Sequence, residues 1–126
     1  MKYQAGQIWQ YHTRTGEEDS RVIILQVDSL PTGEAAIHIA VRGLQIPIPG
    51  SEQGIMGYIG HLPFAEEALA QSLTELESSD GELPDYQEGY NNWKQAFDAG
   101  QAGIFTISLA EAVDFVAQSL SGAKPA

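Results

Sequence analysis

The sequence predicts an α+β fold. An antiparallel meander of about four to five strands fills the first half and packs against three helices over 64–78, 85–99 and 108–120, with a short late strand at 103–107. Two observations carry this. Up to residue 62, apolar residues alternate with polar ones or run in short β-branched stretches punctuated by Gly, Pro and acidic clusters. From residue 64 onward they recur with helical spacing instead. The 126 residues hold no internal repeat and no linker, so a single domain over 1–126 is expected.

In chain order, Gln7 to Thr13 alternates, with Trp9, Tyr11 and Thr13 on one side and Ile8, Gln10 and His12 on the other. Glu17-Glu18-Asp19 reads as a solvated hairpin tip, flanked by Arg14 and Arg21 as a local basic spot. Arg21 to Asp28 is a β-branched strand, Pro31 and Gly33 belong to a turn, and Ala35 to Arg42 alternates again. Pro47 and Pro49 remove ladder donors, so Ile46 to Gly50 is an edge or an extended loop. Ile55 to Leu62 is a further strand in which Gly57 and Gly60 imply a bend or bulge.

The helices carry clearer signals. Phe64, Ala68, Leu69, Leu73 and Leu76 form one apolar stripe ending before Gly81. Tyr86, Tyr90, Trp93 and Phe97 form an aromatic stripe, opened by the capping-box pair Asp85 and Glu88 and closed by Gly100. Ser108 with Glu111 opens the last helix, whose stripe is Leu109, Val113, Val116 and Leu120. The tail from Ser121 to Ala126 is small and polar and is expected to fray. If odd-numbered residues share a face of the sheet, that face gathers Trp9, Tyr11, Ile23, Leu25, Val27, Ile37, Ile39 and Val41 and is the one the helices cover. The even face then carries His12, Gln26, His38 and Arg42.

Composition excludes several function classes. No cysteine means no disulfide framework, thiolate nucleophile or cysteine metal site. A formal charge of −11 argues against nucleic acid and against an anionic membrane surface as partners. No leader-like stretch opens the sequence and no apolar run approaches the ~20 residues that cross a bilayer, so a soluble, cytoplasmic protein is expected. No phosphate-binding glycine motif and no G-x-S-x-G occurs. His12 and His38 fall two strands apart, about 10 Å, too far to share a zinc ion comfortably; no metal, no cofactor and no catalytic residue is assigned.

The charge layout is the least ordinary feature. Between Arg42 and Lys94 there is no basic residue, while Glu52, Glu66, Glu67, Glu75, Glu77, Asp80, Glu82, Asp85 and Glu88 all fall inside. The leading expectation is a non-catalytic protein that binds a basic protein partner through an acidic surface formed by Glu66, Glu67, Glu75, Glu77, Asp80, Glu82, Asp85 and Glu88, as an immunity- or inhibitor-like protein does. The alternative is a small ligand-binding domain or enzyme with a pocket between sheet and helices, built from His12, His38, Arg42 and His61. A homo-oligomer formed through the even face or the Ile46–Ile48 edge is a third option.

Overall fold

The computed structural model describes residues 3–50 and 54–120; Glu52 and the tail from Ser121 to Ala126 lie outside the described residues. Strands β1 (Ile8–Tyr11), β2 (Arg21–Ser29), β3 (Ala35–Pro47) and β4 (Ile55–Ala65) form the antiparallel meander. Helix α1 (Glu66–Ser72) then leads from the β4 edge to β5 (Leu73–Ser78), which pairs with β1 and completes the sheet order β4-β3-β2-β1-β5. Helices α2 (Gln87–Asp98) and α3 (Leu109–Leu120) follow. The fold class is thus α+β, a five-stranded antiparallel sheet packed with three helices.

The first expected helix, 64–78, is only partly a helix. Phe64 and Ala65 end β4, the helix stops at Ser72, and Leu73–Ser78 is the fifth strand. Leu73 and Leu76 fit a helical stripe, but β1 would otherwise leave one edge without ladder partners, and pairing that edge decides the outcome. Buried Ser72 locks the switch point: its hydroxyl donates to Ala68 O and accepts the Leu109 N–H. The late strand reduces to a single parallel bridge between Phe105 and Phe64. Pro47 lies inside β3, where the strand has outrun β2 and pairs with β4 alone. The Ile48 N–H donates to Gly54 O, so the preceding proline ring faces the open side.

Helix ends follow the sequence unevenly. Ser108 and Glu111 form a reciprocal capping box, each backbone N–H donating to the other's side chain. Gly100, with φ of +75°, closes α2 in a Schellman motif through Gly100 N–H to Phe97 O and Gln101 N–H to Ala96 O. Asp85 and Glu88 do not form their box, because Tyr86 occupies the N-cap position.

One face of the sheet buries Trp9, Tyr11, Val22, Ile24, Ile37, Ile39, Val41, Leu62 and Phe64 under Ala68 and Leu69 of α1 and Leu109, Ala112 and Val113 of α3. Each large aliphatic side chain there contributes about 1.5–3 kcal/mol. The other face carries Ile23, Leu25, Ala40 and His38, and α2 lies over it. The uniform odd-residue register is therefore corrected in β2, where Val22 and Ile24 face the main core and Ile23 and Leu25 do not. The cause is a bulge at Leu25, since Ile24 pairs with Ile39 but Gln26 with His38. Beyond it the phase returns and Val27 packs on the main core.

Candidate functional site

Two bulges build a polar site on the face under α2. The Leu25 bulge turns Gln26 and Asp28 to the same side as His38. In β4, Leu62 pairs with Ile39 and Ile59 with Val41, so Gly60 and His61 together oppose Ala40. With Leu62 and Ile59 both in the main core, Gly60 and His61 turn toward α2. Gly89 of α2 sits directly above, where a β-carbon would stand 3.2 Å from His61 Cβ.

These residues form a hydrogen-bonded chain. Tyr90 donates its hydroxyl to Asp28 Oδ2 at 2.7 Å, and Gln26 donates its amide to Asp28 Oδ1 at 2.7 Å. Tyr86 in turn donates to Gln26 Oε1 at 3.0 Å. His38 Nε2 lies 3.1 Å from Asp28 Oδ2, and His38 Nδ1 lies 2.8 Å from His61 Nε2. The two imidazole planes differ by 18° with centroids 5.0 Å apart. At that nitrogen separation, such a distance means rings joined nearly in line rather than stacked face to face. Tyr90 and Trp93 stand edge-on to His38 at 4.9 and 4.7 Å, and Trp93 is anchored by its indole N–H to Gly103 O at 2.8 Å.

Electrostatics fix the direction of the chain. Burial would raise the Asp28 carboxyl, but hydrogen bonds from Gln26, Tyr90 and His38 hold it below the usual carboxylate range, so it is ionised and accepts. Burial lowers His38 despite Asp28 beside it, and burial followed by the neighbouring His38 lowers His61 to about 4. Both rings are neutral near pH 7. His38 therefore donates from Nε2 to Asp28 and accepts at Nδ1, and His61 donates from Nε2. That leaves the lone pair of His61 on Nδ1, which no described residue engages. Burial and the bond to Asp28 push Tyr90 up to about 12, keeping it a donor.

The His61 end of the chain opens into a pocket of about 480 Å³ between β4 and the start of α2, whose walls include His61, Asp85, Tyr86, Glu88, Gly89 and Asn92. Chemically the arrangement can relay a proton: one taken at His61 Nδ1 can be answered by transfer of the Nε2 proton to His38, whose positive charge would then face Asp28. Two imidazole nitrogens sharing a tetrahedral zinc stand about 3.3 Å apart, and these already share a proton at 2.8 Å. Among the described residues no group of three or more His, Asp or Glu side chains is arranged to hold a metal ion.

Of the four residues expected to line a pocket, the fold joins two. His38 and His61 meet; His12 and Arg42 stay outside. His12 is exposed just past β1, its N–H tied to Ser72 O. Arg42 is exposed on β3, four residues from His38 and thus about 13 Å along the strand. Asp28, Gln26, Tyr86 and Tyr90 escaped the sequence reading as site residues. Their signal lies only in the tyrosine hydroxyls of the aromatic stripe, in an acid at the end of an apolar strand and in the place of Gln26 on the face of His38.

The acidic residues are also redistributed. Glu66 and Glu67 lie on α1 on one side of the sheet, Glu75 and Glu77 on the β5 edge, and Glu88 on α2 across the opposite face, so the eight carboxylates do not share one surface. Glu77 is paired with Arg21 at 2.7 Å, while Glu82, Asp85 and Glu88 hold no ion pair among the described residues. The expected solvated tip holds for the exposed Glu18 and Asp19 and is corrected at Glu17. Glu17 is 2 % exposed, clasped by Arg14 at 2.6 and 2.8 Å and by the Gln45 N–H at 2.8 Å, while Arg14 also reaches Asp114 of α3. Arg14 and Arg21 are thereby neutralised, and no basic spot forms.

Comparison with protein-family models, with curated proteins and with solved structures finds no significant match. No helix among the described residues is long and apolar enough to cross a membrane.

Proposed function

We propose that this chain is a small binding domain whose site is the pocket over His61, where a polar ligand donates a hydrogen bond to His61 Nδ1. One observation carries the reading: an in-line chain from Asp28 through His38 to His61, a residue that lines the pocket and whose Nδ1 no described residue engages. A buried His38 bonded to a half-buried His61 adds nothing to packing that Val or Leu would not supply, which favours a role in recognition or proton transfer. The test is a fragment screen read on the imidazole ¹⁵N resonances. Fragments with N–H or O–H donors should shift His61 Nδ1 specifically, and a screen whose hits bind elsewhere on the protein overturns the reading.

The second reading, docking of a basic protein, is supported by the unpaired carboxylates Glu82, Asp85 and Glu88 on the loop and first turn leading into α2. It replaces the eight-residue surface with this one side of the molecule. Association with such a partner should slow steeply between about 50 and 500 mM salt, and a salt-indifferent rate excludes it.

A further inference from the structure

Resting on the pocket reading above, we infer that the group admitted beside His61 is a primary ammonium, carried by a free alkylamine or by the lysine side chain of a protein partner. Four observations converge on that chemistry. The walls are built by residues able to accept, His61, Asp85 and Glu88, with Asn92 able to serve as either, and among the described residues no cationic side chain lines the space. The tautomer chain commits His61 to accepting, because its other nitrogen already donates to His38, so an anion would meet a lone pair and two carboxylates. Tyr86 is among the wall residues, and an aromatic ring attracts a cation. At about 480 Å³ the pocket suits a molecular cation rather than a bare ion.

Recognition follows from the three N–H bonds of an alkylammonium. One goes to His61 Nδ1 and the others remain for the carboxylates of Asp85 and Glu88, giving a charge-assisted set that a neutral alcohol cannot match. The net charge of −11 draws cations toward the protein before contact.

The experiment titrates the full chain with n-butylamine, spermidine, a lysine-containing tripeptide blocked at both ends, n-butanol and acetate, following the His61 imidazole ¹⁵N signals. The amines or the lysine peptide should saturate the His61 Nδ1 shift, with butanol and acetate at least tenfold weaker. The double variant Asp85→Asn with Glu88→Gln should weaken amine binding about tenfold. Both side chains are exposed, and the double variant keeps acceptor oxygens, so folding is preserved and checked by an unchanged thermal transition. Butanol or acetate binding as tightly as the amines, or the double variant binding amines unchanged, overturns the ammonium assignment and leaves the pocket reading standing. Failure of all five probes to move His61 overturns the ammonium assignment, while a donor fragment from the broader screen that still moves it would preserve the pocket reading. Preference for the blocked peptide over spermidine assigns the amine to a partner's lysine, and the reverse assigns it to a free amine.

Discussion

Acid should loosen this protein through its histidine pair well before its carboxylates titrate. Burial holds His61 neutral down to about pH 4, whereas the unfolded chain protonates the same ring near 6.5. Between those values the unfolded state binds the extra proton, so stability is fully present above about pH 6.5 and falls as pH drops. For this one group the loss is about 2 kcal/mol between pH 7 and pH 5 and about 3 kcal/mol by complete protonation. His38, lowered by burial, adds in the same direction. Urea unfolding at pH 7, 6 and 5 measures it, with His61→Gln as the control, because an amide retains a donor toward His38 and does not titrate. The wild type should lose about 2 kcal/mol more than the variant across that range. Equal pH slopes for the two proteins, or a wild type that gains stability toward pH 5, would refute the assignment of a neutral histidine pair.

Other perturbations test the frame around the site. Glu17→Ala strands the Gln45 N–H and leaves the Arg14 guanidinium with only Asp114, and should cost about 2–4 kcal/mol in urea unfolding, whereas Glu17→Gln, which keeps acceptor capacity, should cost less. Gly81→Ala would bring a β-carbon to 2.7 Å from Gly6 O and 2.8 Å from Ile8 Cγ1, where Gly81 N–H already donates to Gly6 O. About 1–3 kcal/mol of destabilisation is expected, against less than about 0.5 kcal/mol for Gly103→Ala in open space.

How far the sequence could be read depended on whether a signal was local. The meander, the helix over Leu109–Leu120 with its Ser108–Glu111 box, and the Gly100 stop were all legible, because periodicity and capping chemistry lie within a few residues of one another. Leu73–Ser78 was not, since its strand state answers to the open edge of β1, more than sixty residues away in the chain. The site failed for a related reason. Its members were half visible as His38 and His61, but the residue that orients them, Asp28, faces them only because Leu25 is an extra residue in β2. The alternating reading did set Gln26 on the face of His38 but counted Ile23 and Leu25 with the main core, and no composition or spacing rule announces where a bulge falls.

That dependence on bulges bears on why the polar chain exists. Regular pairing through β2 and β4 would have kept both strands in phase and would not have required two bulged positions, each of which disrupts ladder hydrogen bonds. An apolar side chain at 38 would have let α2 dock on Ile23, Leu25 and Ala40 by burial alone, with no buried imidazole to neutralise. Instead α2 is held through polar contacts: Tyr86 to Gln26, Tyr90 to Asp28 and Trp93 to Gly103 O. The same helix therefore completes the Asp28–His38–His61 chain and walls the pocket at its open end, so anything that displaces α2 removes the Tyr90 donor from Asp28 and exposes His38 to water together. Stability, tautomer and access at His61 are coupled through one helix, and an occupant bonded to His61 and to Asp85 and Glu88 on the α2 side would tie β4 to that helix.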